Sequence, residues 1–189
     1  LEDSVFNLEA EMNAEFVEQF AKAEGNAFIS GNSVGKPQGL INNAGNNITT
    51  AANDALAADD LIGAAHNIKS EYMRNATWMF NRSTLSAIRK LKDASGQYIF
   101  QPGLYQMGVG SSLLGHPIVE ASDLADIADG TKPVLFGDYR RGYMIVDRVS
   151  LSIMRDPFTQ ASAGNVRYIA RRRVGGQVIL PEAITTITI

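Results

Sequence analysis

NATWMFNRSTLSAIRKLKDASGQY, residues 75–98, decides the fold class, because several kinds of local structure follow one another within one short run. Ala76-Thr77-Trp78-Met79-Phe80 is apolar and aromatic, too short for a helix, and reads as a buried strand. Ser83 or Thr84 is placed to cap a short helix through Leu85, Ile88 and Leu91. Asp93-Ala94-Ser95-Gly96 is turn chemistry, with Gly96 the position most in need of a positive φ. Tyr98-Ile99-Phe100 then reads as a short strand.

Toward the N-terminus the pattern becomes helical. Val5, Leu8, Met12, Phe16, Phe20 and Ala23 recur at spacings of three and four, an apolar stripe started by Asp3 or Ser4 and ended by Gly25 and Gly31-Asn32-Ser33. Glu9, Glu11, Glu15 and Glu18 fall largely off the stripe. The stripe is expected to be core, so Phe16→Asp or Phe20→Asp is expected to unfold the chain by burying an unpaired charge. Residues 30–53 are rich in Gly and Asn and read as loop. A second helix is expected from Asp59 or Asp60 through Leu61, Ile62, Ala65, Ile68 and Tyr72.

Toward the C-terminus, residues 101–132 read as irregular, and Val134-Leu135-Phe136 as a strand ending at Gly137-Asp138. Beyond lies β structure. Val149, Leu151 and Ile153 alternate with serines, and Val166, Tyr168 and Ala170 alternate with Arg167 and Arg171. Gly175-Gly176 reads as a hairpin turn into Gln177-Val178-Ile179-Leu180, and Ile187 and Ile189 close the pattern. A helix, a mixed middle and terminal antiparallel strands make an α+β protein.

The chain has 189 residues, 45% apolar and 20% charged, enough for one domain or two small lobes sharing a core. With no cysteine, disulfides, zinc–thiolate sites and cysteine nucleophiles are excluded. No apolar run approaches the ~20 residues of a membrane span, and no signal peptide is recognisable. The first residues enter a helical pattern and the last lie in a strand pattern, so both ends read as cuts in something longer. The net charge of −3 is unevenly spread. Residues 1–137 carry 9 basic and 16 acidic side chains, whereas 138–189 carry 8 arginines and 4 acids. Such asymmetry suits contact between copies of the chain, or a basic face toward nucleic acid; solvated faces are the plainer alternative.

Candidate chemistry is sparse. His66 lies within a helical pattern and His116 precedes Pro117; neither has a neighbouring carboxylate to orient it as a base or a partner for a metal. Gly31-Asn32-Ser33-Val34-Gly35-Lys36 has three residues between its glycines where a phosphate loop has four, and Pro37 stands where Ser or Thr belongs. Asp123, Asp126 and Asp129 do not match the spacing of a calcium loop. Arg171-Arg172-Arg173 with Arg167 is the densest basic cluster; on a strand Arg167, Arg171 and Arg173 share one face and Arg172 takes the other. Salt bridges between copies or a solvated face suit it better than direct nucleic-acid contact, for which only Tyr168 offers an aromatic platform. No catalytic, cofactor-binding or metal residue is assigned.

Several ordered segments together resemble the major capsid protein of tailed bacteriophages and prophages, with the fold named after phage HK97. They are Leu1-Glu2-Asp3-Ser4 through Gly31-Asn32, Gly35-Lys36-Pro37-Gln38-Gly39-Leu40, Asn75 to Asn81 followed by Leu91 to Tyr98, Leu114 to Val119, and Phe136-Gly137-Asp138-Tyr139. Val146-Asp147-Arg148, Arg155-Asp156-Pro157-Phe158, Arg171 to Gly176 and Pro181-Glu182-Ala183 complete the set.

The resemblance implies an HK97-like α+β fold, with residues 1–30 as the spine helix of the peripheral (P) domain. It implies an axial (A) domain over 31–140, and P-domain strands with the C-terminal strand over 141–189. It implies a subunit that self-assembles, through pentameric and hexameric capsomers, into an icosahedral head enclosing DNA. It implies no enzymatic activity, no cofactor, no membrane partner, possible non-specific contact with packaged DNA, and a place in the virion after assembly in a bacterial cytoplasm. The family's N-terminal arm and extended loop would precede Leu1, so no crosslink residue is carried over. An encapsulin-like cargo shell shares the fold and is the nearest alternative. A small hydrolase or nucleotide-binding enzyme would need His66, His116 or Lys36 to converge in one polar pocket.

Overall fold

The computed structural model describes residues 8–50, 55–93, 95–99 and 112–189. Asp3, Ser4, Val5, Ala94, Phe100 and residues 101–111, which entered the reading above, lie outside them.

α1 (Leu8–Ser30) runs straight through Gly25, and Gly31 is what ends it. A Gly inside a helix costs only about 1 kcal/mol relative to Ala, and tertiary packing offsets that. At Gly31 the chain doubles back: Gly39 N–H donates to the Gly31 carbonyl at 2.9 Å, and a Cβ on Gly31 would lie 2.1 Å from the Pro37 carbonyl oxygen. No side chain fits there. The returning chain forms α2 (Leu40–Asn43) and β1 (Asn46–Thr49). This strand lies inside the stretch expected to be loop. Its asparagines are explained by the neighbouring strand, where the Thr186 and Thr188 hydroxyls both donate to Asn47 Oδ1 at 2.8 Å.

The expected second helix is divided into α3 (Ala58–His66) and α4 (Ser70–Met73), with Lys69 extended between them. The break lets Leu61, Ile68 and Tyr72 reach one core. β2 (Thr77–Phe80) is the strand expected from the aromatic run. α5 (Arg82–Arg89) is capped by Asn81, not by Ser83 or Thr84: the Asn81 side-chain Oδ1 accepts from Thr84 N–H at 2.7 Å. The Asp93 turn is as expected, with Gly96 at φ +79° and the Asp93 carboxylate accepting from Ser95 and Gln97. Tyr98 forms only a single bridge to Lys92. Within the stretch expected to be irregular lie β3 (Ser112–Leu113) and β4 (His116–Glu120).

β5 (Val134–Gly137), α6 (Tyr139–Gly142), β6 (Tyr143–Asp156), β7 (Arg167–Val178) and β8 (Ile184–Thr188) complete the chain. A mixed six-stranded sheet has the order β1-β8-β5-β2-β4-β3. Its centre is buried on both faces: β5 carries no polar side chain, and Thr185 and Thr186 of β8 are themselves buried. Trp78, Phe80, Val134, Phe136 and Ile187 point into one core with Leu61, Leu85 and Ile88. Leu135 and Ile184 point into a second core with Ile29, Leu40 and Val178. Trp78 stacks tilted on Phe136 at 4.2 Å and donates its Nε1–H to the Leu113 carbonyl at 2.9 Å.

β6 and β7 form a separate antiparallel ribbon, from Tyr143↔Val178 to Asp156↔Arg167. Gly175 and Gly176 are inside β7, opposite Val146 and Ile145, and make no turn. The chain reverses over residues 157–166 instead, through a 3₁₀ turn at Ala161–Ala163 and Gly164 at φ +69°. Irregularities between Asp147 and Val149 and between Val149 and Ser152 shift the register of β6. Val149 thereby pairs with Arg173 and is exposed, apart from the half-buried Leu151 and Ile153 with which the alternation groups it on one face.

α1 lies along the ribbon. Met12, Phe16 and Phe20 are half-buried there and are not core residues. Among its described side chains only Ile29, near the helix C-terminus, enters a core.

Candidate functional site

The residues weighed for catalysis sit on separate elements. His66 is exposed in the last turn of α3, and His116 starts β4 with its ring edge-on to Phe136 at 5.2 Å. Among the described residues neither imidazole makes a hydrogen bond or an ion pair, and no group of three or more acids and histidines is placed to hold a metal. The Gly31–Lys36 segment follows the C-terminal, electronegative end of α1, the wrong pole for a phosphate. It closes as a tight loop through the Asn32↔Gln38 bridge, with Ser33 and Gly35 at positive φ. Asp126 accepts from Asn81 Nδ2 at 2.7 Å and anchors its own loop. Asp123 sits against the α1 backbone, 3.1 Å from where a Cβ on Gly25 would be.

The ordered chemistry lies instead between α1 and the ribbon. From Ala170 onward β7 alternates in burial, with Ile169 half-buried before it: Tyr168, Ala170, Arg172, Val174, Gly176 and Val178 turn toward the helix, and Arg167, Arg171 and Arg173 are exposed on the far face. The expected division of the arginines is therefore what the structure has. Arg172 holds the layers together. Its guanidinium reaches Glu24 of α1 at 3.1 Å and Asp147 of β6 at 3.1 Å, with Glu24 mostly shielded from solvent. Forked geometry with two carboxylates suits Arg and not Lys. Below this triad Phe28 meets Tyr143 edge-to-face at 6.0 Å. The Tyr143 hydroxyl donates to the Gln38 carbonyl at 2.7 Å, and burial pushes it up to about 12. Phe20, Ala23, Ala27, Pro37 and Val174 floor an open groove here, rimmed by Lys36 and Arg148.

A second polar cluster ties the C-terminal turn to α4. Glu182 accepts from Lys69 Nζ at 2.5 Å and from the Tyr72 hydroxyl at 2.8 Å. These two bonds hold the Glu182 carboxyl below its ordinary range. The same partner raises Lys69 and Tyr72. Sequence reasoning identified none of these partners except by face. The period of two isolates Arg172 from its neighbours, but Glu24 and Asp147 meet it only through the packing of three elements.

The opposite side of α1 is acidic. Glu11, Glu15 and Glu18 are exposed, one turn apart on a face turned away from the half-buried Met12, Phe16 and Phe20. The helix–ribbon layer thus has one acidic outer face and one arginine-bearing outer face. Large apolar side chains stand exposed along β6: Met144, Ile145, Val146, Val149 and Met154. Exposed apolar rows of this kind mark surfaces that other chains cover.

The comparisons agree with such a surface. The family model described as Phage capsid family matches residues 1–189. The capsid of an empty GTA particle, computed with C5 symmetry, superposes with a TM-score of 0.90 at 34% identity, over 99% of this chain and 68% of that one. The capsid of the native GTA particle gives 0.90 at 33%, over 99% and 67%. Microbacterium phage Oxtober96 gives 0.76 at 19%, over 99% and 67%. The SrpI encapsulin of Synechococcus elongatus PCC 7942 gives 0.70 at 16%, over 100% and 68%; at that identity the likeness concerns the fold alone. No curated protein sequence matches. A helix laid on a two-stranded ribbon beside a mixed sheet, with the whole length matched by one family model, establishes that the chain belongs to the phage capsid family.

Proposed function

We propose that copies of this chain build the wall of an icosahedral phage-type head, through pentameric and hexameric capsomers, around packaged DNA. The observation that carries the reading is the 34% identity and 0.90 TM-score to a GTA capsid across 99% of the chain, within a family match of its whole length. α1 and the β6–β7 ribbon are the peripheral domain in this reading. Residues 31–140 are the axial domain, and β8 joins it by pairing with β1 and β5. The role is structural: the chain's chemistry is spent on surfaces and on the bonds that hold them in shape. Contact with packaged DNA would be to the phosphate backbone, since exposed arginines without stacked aromatics read charge rather than bases. Assembly would take place in the bacterial cytoplasm.

Expression of the full-length protein, followed by size-exclusion chromatography and negative-stain microscopy, tests this. Closed shells or capsomer rings are expected, and nuclease-protected DNA inside them would separate a phage head from a cargo compartment of the encapsulin kind. A protein that stays monomeric at high concentration across a range of salt would overturn the reading.

A further inference from the structure

We propose that the acidic face of α1 in one copy docks on the arginine face of the β6–β7 ribbon in the next copy. The inference rests on the shell reading and specifies which surfaces make one of its repeated contacts. The two faces lie on opposite sides of the same layer. Glu11, Glu15 and Glu18 are exposed on the side of α1 away from the ribbon, and Arg167, Arg171 and Arg173 are exposed on the side of the ribbon away from α1. Neither face can pair with its own copy across a twofold axis, because like charges would meet. Each complements the other, which is the head-to-tail arrangement that generates rings when the rotation closes.

The spacings fit. Glu11 and Glu15 are separated by about 6 Å along the helix, from a rise of about 1.5 Å per residue. Arg171 and Arg173 are separated by about 6.6 Å, from about 3.3 Å per residue in a strand. Competing partners within the protomer are few. Among the described residues Arg171 and Arg173 make no ion pair, and Glu11 makes none. Glu18 has only a loose contact with Lys22 at 3.9 Å, both well exposed, and Glu15 accepts from Gln19. Arg167 stands near Asp156, so Arg171 and Arg173 are the free centre of the row. Val149 opposite Arg173 and Met154 opposite Ile169 are 40% and 51% exposed on that face, giving the contact an apolar part as well. Each exposed ion pair contributes little, but it is repeated in every copy.

Charge reversal in the full-length protein tests this. Glu11→Arg with Glu15→Arg makes both faces basic, and Arg171→Glu with Arg173→Glu makes both acidic. Each variant alone is expected to need at least about tenfold more protein to assemble at low salt, because like charges now meet. Circular dichroism checks that each protomer still folds. The chain carrying all four changes restores opposite faces and is expected to assemble like the parent. At the parent's assembling concentration, where neither assembles alone, a mixture of the all-basic and all-acidic variants is expected to associate in alternating, even-numbered rings. Parent shells with reversals that assemble unchanged would overturn the pairing while leaving the shell reading intact. Folded single-face variants that fail, together with a four-fold variant that also fails, would overturn this pairing in favour of another partner for each face. A parent that forms no shells would overturn the reading and the inference together.

Discussion

Gly176 stands opposite Ile145 in the ribbon, and a Cβ there would lie 2.3 Å from the Tyr143 hydroxyl and 3.0 Å from Phe28 Cδ1. The Tyr143 ring cannot simply swing aside, because its hydroxyl is bonded to the Gln38 carbonyl. Gly176→Val is therefore expected to destabilise the protein by about 1–3 kcal/mol, the usual cost of overpacking, and a thermal melt against the parent checks it. Gly175→Val, where an added Cβ meets nothing within 4 Å, is the control and should melt with the parent. Glu182 gives a prediction of a different kind. Its folded carboxyl is depressed by Lys69 and Tyr72, so its contribution is present above the unfolded value of about 4.3 and is lost as pH falls through the folded one. Glu182→Gln should flatten the decline of stability below about pH 4.3. An acid denaturation profile identical to the parent's would show that the pair contributes nothing there.

At the scale of elements, packing decides what periodicity alone misjudges. The aromatic run at 76–80 was legible as a buried strand because nothing but a core accommodates Trp78 and Phe80, both fully buried. The α1 stripe has equally clear spacing but rests on a two-stranded ribbon, which leaves Phe16 and Phe20 half-exposed. A stripe reports which side of a helix is covered; it does not report how thick the cover is. Trp78→Ala should accordingly cost about 3–5 kcal/mol. Phe20→Asp, at a groove rimmed by Lys36 and Arg148, should cost about 1–2 kcal/mol and leave the fold intact, contrary to the expectation from the stripe. Urea denaturation of the two variants compares them directly, and equal losses would place Phe20 in the core after all. The other misreadings have the same origin. Gly175-Gly176 has the composition of a turn, yet it serves as a gap for Tyr143 and Phe28, an aromatic pair brought together from distant parts of the chain. β1 reads as an asparagine-rich loop because its ladder includes side-chain bonds to Thr186 and Thr188 that no local pattern announces. The arginine face was legible from the period of two; its acidic counterpart on α1 became a face only once the ribbon fixed which side of the helix was covered.

The whole molecule has an uneven distribution of support. β5 and β8 are buried on both faces, between two cores and between flanking strands. The ribbon has two strands, one helix over one face and exposed apolar side chains along β6, and two-stranded structures alone are marginal in water. Opening of the ribbon should therefore require less free energy than opening of the six-stranded sheet, and the two should separate in hydrogen exchange. In isolated protomers the amides of Leu135, Phe136, Thr185 and Thr186 are expected to exchange most slowly, with those of β6 from Met144 to Val149 far faster. In assembled shells, neighbouring copies would cover the ribbon and its amides should slow, while those of β5 and β8 change little. Ribbon amides as protected in free protomers as in the sheet would mean that the ribbon carries its own stability, and the exposed row Met144-Ile145-Val146 would then need no neighbour to explain it. Selective slowing on assembly would tie that row, rather than the already rigid sheet, to the surface that the shell buries.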